Sequence, residues 1–291
     1  MLPLFKHFPR LAHGLPCVPI TTIPTAVRCC AALSDHAGAA SIHVKCDDQT
    51  GPVYGGNKVR KLAFLLGRAR KLGTTTTLTF GAAGSNHALA TAVYARQVGM
   101  GPISMLVPQV NSRKVGANLL RHFATGATLH HFRRRDEVSR ATMAIVCEAR
   151  RRGEPRPFII PAGGSAPLGT VGYVNAALEL KAQIIAGELP VPDRIYVASG
   201  TMGTCVGLLL GLQLAELDTQ VMAVRVTTPP FTSLEKGELL YRRTLGLLRK
   251  LDPAVPALRF PASRFILRDD YLGPSYGVYT EASVAAVAAA D

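Results

Sequence analysis

The sequence has no tryptophan, 6% aromatic residues, and 19 Asp+Glu against 33 Lys+Arg in 291 residues. It has no C-x-x-C pair. Six cysteines (Cys17, Cys29, Cys30, Cys46, Cys147, Cys205) follow no regular spacing, so neither a zinc site nor a disulfide framework is indicated, and a reducing, cytoplasmic setting fits. No apolar run reaches the length of a membrane span, and the first 28 residues, broken by Pro3, Pro9, Pro16 and Pro19, contain no signal-peptide core. The chain is therefore read as soluble, with no membrane partner. A G-x-S-x-G elbow, an H-E-x-x-H helix and clustered carboxylate and histidine ligands are all missing, which disfavours serine hydrolases and zinc enzymes. No metal is expected, and His130-His131 reads as a strand-end pair.

The scarcity of acid leaves a formal net charge of +14. Such a charge suits nucleic acid. The basic clusters Arg133-Arg134-Arg135 and Arg150-Arg151-Arg152, however, lack the interleaved aromatics that stack bases, so they read as solvated helix faces, and no nucleic-acid partner is expected. An anionic ligand or cofactor is compatible with the excess.

What is present is a composition, 48% hydrophobic and 18% charged, that can bury a sizeable core. The length favours two domains or one large α/β unit. Short β-branched runs predict strands at 41–45, 75–80, 103–107, 127–131, 158–160, 194–198 and 221–226. Between them, helical periodicity predicts helices at 57–72, 88–98, 115–124, 137–152, 172–187 and 205–217. This alternation is the signature of a mostly parallel sheet. The most loop-like stretch, Pro161 to Gly169, reads as an interdomain crossing.

Three segments place polar or cationic groups at helix starts. In Gly55-Gly56-Asn57-Lys58-Val59-Arg60-Lys61, two glycines free the backbone and Lys58 and Lys61 stand one helical turn apart. A lysine amine activated by desolvation or neighbouring cations makes Schiff bases, although a basic first turn taken alone reads as a solvated face. Gly84-Ser85-Asn86-His87 joins a strand to a helix, where amides and the helix dipole favour an anion and Ser85 and Asn86 add donors suited to a carboxylate; simple capping by either residue is the alternative. Gly200-Thr201-Met202-Gly203-Thr204 lacks the Lys-[Ser/Thr] of a P-loop and the third glycine of a dinucleotide fingerprint. A phosphate cradle and an ordinary βα turn both remain open for it.

In this order, with Ile160 to Gly169 leading into Gly172-Tyr173, and with Tyr271-Leu-Gly-Pro-Ser-Tyr-Gly-Val-Tyr-Thr-Glu281, these segments resemble the D-cysteine desulfhydrase and 1-aminocyclopropane-1-carboxylate deaminase family of fold-type II pyridoxal-phosphate enzymes. The resemblance runs from about Ile42 onward. It implies an α/β protein of two open, twisted, mostly parallel sheets in three-layer αβα domains, like the tryptophan synthase β subunit. The large domain would comprise residues 1–58 plus 172–291, and the small one 59–171. Lys58 matches the lysine that holds pyridoxal 5'-phosphate and moves the substrate Cα proton. Lys61 and the amides and hydroxyls of Gly200, Thr201, Met202, Gly203 and Thr204 match the phosphate site. Ser85 matches the residue that binds the substrate carboxylate, Asn86 the one beside the cofactor's phenolic oxygen, and Tyr276 an active-site tyrosine; His87 belongs to the same substrate turn.

The implied reaction is an α,β-elimination on a small amino acid such as D-cysteine, giving pyruvate, ammonia and sulfide. Ring-opening deamination is the alternative, as is a silent homologue that only binds its ligand. The deaminases read Ser-Asn-Gln at the carboxylate turn, whereas this chain reads Ser85-Asn86-His87, as desulfhydrases do. Met202 stands where the family has a small residue. The resemblance also implies a homodimer, and a further tyrosine segment beyond the helix that follows Glu281; the run Ala282 to Asp291 ends before it, so the chain is expected to be incomplete relative to the family.

Overall fold

The computed structural model describes residues 1–228 and 231–290. Its helices are α1 Pro3–His7, α2 Leu11–Gly14, α3 Ala31–Ala37, α4 Lys58–Lys71, α5 Asn86–Gln97, α6 Arg113–Ala124, α7 Arg135–Arg151, α8 Pro167–Ile185, α9 Gly203–Leu214, α10 Leu234–Leu251 and α11 Glu281–Ala290. Its strands are β1 Val27–Cys29, β2 His43–Lys45, β3 Thr76–Ala82, β4 Gly101–Val107, β5 Thr128–His131, β6 Phe158–Ile160, β7 Arg194–Ser199, β8 Gln220–Arg225 and β9 Phe265–Arg268. Strands β1 and β2 form a small antiparallel pair. The other strands form two parallel sheets, one of order β5-β4-β3-β6 and one of order β7-β8-β9.

In the four-stranded sheet the chain runs outward from β3 through β4 to β5, then returns to add β6 on the other side of β3. The loops after β3 and β6 therefore diverge at the carboxyl ends of adjacent strands, where open α/β sheets leave a crevice for ligands.

Helices α8 and α9 are apolar on nearly every side and are buried as a central layer. Around them a large core gathers Leu4 and Leu11 from the N-terminal helices and Tyr241, Leu245 and Leu248 from α10. A second core joins Val59, Leu62 and Leu66 of α4 to Ala90 and Tyr94 of α5 and Ile160 of β6. The central helices meet backbone to backbone. A Cβ added at Gly172 of α8 would stand 2.2 Å from the Arg60 carbonyl oxygen of α4, and Cβ atoms added at Gly207 and Gly211 of α9 would each stand 2.6 Å from a carbonyl of α8. Only glycine permits this approach, and it places the first turn of α4 against the first turn of α9.

Several boundaries differ from those predicted. Helix α8 begins at Pro167 rather than Gly172, because proline is tolerated in a first helical turn. The stretch expected to be a loop thus becomes a single 3₁₀ turn, Ala162–Gly164, followed by helix. Helix α5 begins at Asn86 because Ser85 is its N-cap. Helices α1, α2, α3 and α10 and strands β1 and β9 are not anticipated by the sequence pattern, and Asp291, expected within the last helix, lies outside the described residues. Arg133, Arg134 and Arg150 to Arg152 are exposed, as expected of solvated faces; the side chain of Arg135 lies outside the described residues. Among the described residues no helix is long and apolar enough to cross a membrane.

Candidate active site

Lys58 opens α4 directly after the glycine pair. A Cβ at Gly55 would stand 1.4 Å from the Asp48 carbonyl oxygen, and Gly56 has a φ of 109° and donates its N–H to the Asp47 carbonyl at 2.8 Å. These glycines serve a backbone crossing that aims the start of α4. A Gly55→Ala substitution is therefore expected to destabilise the fold by about 1–3 kcal/mol or more and to weaken ligand binding with it. Thermal unfolding measures the first effect, and an unchanged Tm would show that the crossing yields freely.

The expectation that this basic turn is a solvated face is corrected by the structure. Lys58 is half-buried, and Arg60 and Lys61 are each only 2% exposed. Lys58 Nζ donates to Asn57 Oδ1 at 2.6 Å, and Asn57 Nδ2 donates to Thr204 Oγ1 at 3.1 Å, tying the α4 start to the α9 start. Burial pushes the Lys58 amine down to about 8. Lys61 Nζ donates to the Gly163 carbonyl at 3.2 Å and lies 3.5 Å from Ser165 Oγ. Burial, then the neighbouring Lys58 charge, holds its pKa well below the ordinary lysine value. Among the described residues neither amine has a carboxylate partner. The adjacent Arg60 does: it is locked between Asp47 (2.8 Å) and Glu179 (2.9 Å).

Facing these amines, the turn after β7 enters α9. Gly203 N–H donates to Ser165 Oγ at 3.1 Å and to the Thr201 carbonyl at 2.9 Å, while the first intrahelical bond belongs to Val206. The Thr204 amide is left without an intrahelical partner at the positive helix end, where an anion is favoured. A Cβ at Gly203 would stand 2.5 Å from Ser165 Oγ and 3.0 Å from Lys61 Nζ, so glycine is what keeps this cradle open. Met202 has a left-handed φ of 69°, and its side chain packs in the core against Gly237 while Sδ accepts from Ser199 Oγ at 3.3 Å. Its bulk is absorbed away from the turn.

After β3, Ser85 Oγ accepts from Ala88 N at 3.2 Å as a helix cap, which leaves its hydroxyl proton available. Capping and ligand binding are thus compatible. Asn86 Oδ1 accepts from Tyr54 OH (3.1 Å) and Asn118 Nδ2 (2.8 Å), so its Nδ2 donors remain for a ligand. His87 is buried, with Nε2 3.1 Å from Thr79 Oγ1. The Thr79 hydroxyl also donates to the Ile160 carbonyl at 3.0 Å, and the His87 ring also has the Pro161 backbone as a hydrogen-bond partner. Burial, then the charges of Lys58 and Lys61, pushes this imidazole well below its ordinary pKa, and it stays neutral.

All eleven residues singled out in the sequence (Lys58, Lys61, Ser85, Asn86, His87, Gly200 to Thr204 and Tyr276) line one cavity of ≈ 730 Å³. No described residue on its wall is Asp or Glu. Tyr276, 41% exposed, stands at its mouth. Sequence reasoning assigned no role to Asn57, Thr79, Gly163 or Ser165. The last two lie in the Ile160 to Gly169 segment of the resemblance, where the φ values of Gly163 and Gly164, 66° and 64°, bring the loop after β6 against Thr201 and Lys61.

A model of the family described as "pyridoxal-phosphate dependent enzyme" matches residues 19–290. The chain belongs to that family. This pyridoxal-phosphate dependent enzyme is 36% identical over 274 residues to nocardicin C-9' epimerase of Nocardia uniformis, covering 91% of this chain and 78% of that protein. It is 33% identical over 261 residues to D-cysteine desulfhydrase of Serratia proteamaculans, covering 88% and 75%. Its fold matches the crystal structure of an ACC deaminase homologue with a TM-score of 0.79 and 31% identity, over 94% of this chain and 79% of that one. The threonine deaminase of Solanum lycopersicum, at 15% identity and a TM-score of 0.56 over 76% of this chain and 55% of that one, shares the fold. The fold-type II architecture expected from the resemblance is thus the one found.

The cavity fits the cofactor. A dianionic phosphate needs cations, free amides and no carboxylate, and Lys61 together with the α9 cradle supplies these; an aldehyde needs an amine with an accessible lone pair, which Lys58 supplies. A Lys61→Met variant is expected to weaken pyridoxal phosphate binding about 10- to 100-fold, the scale of a charge-assisted hydrogen bond, while binding of phosphate-free pyridoxal changes far less. Equal losses for both ligands would place Lys61 elsewhere.

Proposed function

We propose that the enzyme is a lyase that performs α,β-elimination on a small β-substituted amino acid such as D-cysteine, with water converting it to pyruvate, ammonia and sulfide. The observation that carries this reading is the meeting, on one carboxylate-free cavity, of the Lys58 amine with the N-termini of both α5 and α9. Pyridoxal phosphate would be held by Lys58 at its aldehyde, by Lys61 and the Gly203–Thr204 turn at its phosphate, and by Asn86 at its phenolic oxygen. When bound it supplies an electron sink for the pair left at the substrate Cα.

The residues of the chain do the rest. Ser85 Oγ, with the α5 amides around Asn86 and His87, binds the substrate carboxylate at the positive end of α5. Lys58 Nζ takes the Cα proton; its pKa near 8 leaves the lone pair available close to neutral pH. Tyr276, at the mouth, lies beside the substrate and limits water. The Ser85-Asn86-His87 turn supports elimination over ring opening.

The separate sheets and separate cores support a division into a large domain, 1–58 plus 172–291, and a small domain, 59–171, with the cofactor between them. All six cysteines are free thiols, which supports a cytoplasmic setting, and the exposed Leu120 and Phe123 of α6 support a homodimer.

The test is a panel of D-cysteine, L-cysteine, chlorinated and sulfonated alanines and aminocyclopropane carboxylate. Pyruvate, ammonia and sulfide in equal amounts from a cysteine are expected. Release of 2-oxobutyrate from the cyclopropane would identify a deaminase. Solvent deuterium entering Cα without pyruvate would favour epimerisation, and a visible cofactor band with no turnover of any kind would mean a silent binder.

A further inference from the structure

A second cavity of ≈ 320 Å³ adjoins the first, a volume at the low end of ligand pockets. The two share Asn86, Gln109, Val226, Ser275 and Tyr276 as common walls. Of these, Tyr276 is the residue proposed to lie beside the substrate; Lys58, Lys61 and the Gly200–Thr204 cradle do not reach the annex. A substrate whose amino group meets Lys58 and whose carboxylate meets Ser85 and the α5 amides would have the annex within reach of its side chain.

The chemistry of the annex is one-sided. No described residue on its wall is a carboxylate, while Lys114, in the first turn of α6, and Arg225, at the end of β8, both line it. Lys114 is exposed. Arg225 is 14% exposed and has one ionic partner, Asp269, at 3.3 Å; Asp269 is itself 66% exposed. That contact engages Nη1; Nε is enclosed by protein atoms and is not what the annex meets. A guanidinium that lines the annex and is held by a single carboxylate largely open to water, beside hydroxyls of Ser112, Ser275 and Tyr276, is suited to a second anion.

We propose that this annex is a subsite for the anionic end of the substrate side chain, so that the substrate class is β-substituted alanines larger than cysteine whose leaving group carries a carboxylate or similar anion. The proposal rests on the lyase reading. For an S-carboxymethyl cysteine, Lys58 removes the Cα proton, the Cβ–S bond breaks with its electron pair leaving on sulfur, and water completes the balance: one substrate and one water give one pyruvate, one ammonia and one mercaptoacetate. No oxidant or reductant is required.

The experiment compares S-carboxymethyl cysteine with its neutral isostere S-carbamoylmethyl cysteine, in both enantiomers, on the holoenzyme at low ionic strength. The readout is the ratio of their kcat/KM values for pyruvate release, which cancels any general loss of folded protein. A ratio of about tenfold or more in favour of the carboxylate is expected, on the scale of a hydrogen bond to a charged group. It should fall to within about threefold of unity in Arg225→Gln and by a smaller factor in Lys114→Gln. A ratio near unity in the unmodified enzyme, or one unchanged in Arg225→Gln, overturns the proposal. Should no thiol compound, cysteine included, release pyruvate, the lyase reading itself fails; the same pair is then titrated against the visible band of the bound cofactor. Tighter binding of the charged member, lost in Arg225→Gln, still supports the subsite, and equal binding overturns it.

Discussion

Lys58→Ala is expected to lower pyruvate release by about 10³-fold or more, combining the loss of a proton-transfer group with the loss of the orientation it enforces. The visible band from the cofactor and the borohydride-trappable adduct should vanish with it. Persistence of an adduct at another lysine would shift the role, and Lys61 would be the first candidate.

The companion variant Lys58→Met carries a second, opposite expectation. Burial lowers the Lys58 pKa from 10.5 to about 8, so the unfolded chain binds the proton more tightly than the folded one. Below pH 8 both states are protonated, and the folded state bears the cost of a half-buried charge; between pH 8 and 10.5 that cost fades as the folded amine loses its proton. Protein stripped of cofactor should therefore gain about 2–3 kcal/mol at pH 7 from Lys58→Met. The gain should shrink as pH rises toward 10.5. Urea midpoints measured at pH 7 and pH 10 decide it, and a methionine variant no more stable than the parent at pH 7 would mean that solvent relieves the charge.

Glu179→Gln is expected to cost about 1.5–3 kcal/mol, the scale of a hydrogen bond to a charged group, because Arg60 keeps Asp47 but loses its second carboxylate, against a total stability of about 5–15 kcal/mol. Glu179 accepts from both Arg60 terminal nitrogens (2.9 and 3.0 Å), from Lys45 Nζ (2.7 Å) and from the Thr25 amide (3.1 Å). Arg60 is completed by Asp47, which also accepts from Tyr173 OH at 2.6 Å. Burial by itself would raise both carboxyl pKa values, but Arg60, through hydrogen bonds and charge, and Lys45 outweigh it, and both lie below the ordinary range. The network's contribution is thus fully present above the unfolded carboxyl pKa values, about 4, and is lost as pH falls through the lower folded values. Urea unfolding at pH 7 measures the cost, and a loss below about 1 kcal/mol would show that Arg60 finds another acceptor. Because Arg60 lies between Lys58 and Lys61 in α4, cofactor affinity should drop in the same variant.

The sheets and most of the site were legible because their signals are local. β-branched runs mark strands β3 to β8, and the Ser85-Asn86-His87 and Gly200–Thr204 turns sit where a strand hands over to a helix. What sequence spacing could not show was pairing across distance. Arg60 and Glu179 lie 119 positions apart and Asn57 and Thr204 147, so local reading left the basic turn as a solvated face. Helix α10 went unread although it carries an apolar stripe at Tyr241, Leu245 and Leu248. That Met202, a departure from the family's small residue, packs in the core is a tertiary fact that its neighbours in sequence do not show.

The contacts between α4, α8 and α9 have a consequence for how this protein can vary. Gly172, Gly207 and Gly211 hold backbones together where a Cβ would collide, whereas Gly116 in α6 and Gly246 in α10 have nothing within 4 Å of an added Cβ. A library selected only for folding should stay fixed at the first three positions. At the other two it should drift freely toward alanine, which favours helix by about 0.5–1 kcal/mol over glycine. Those two surface helices are where a more durable version of the enzyme can be engineered without disturbing the alignment of the helix ends that line its cavity.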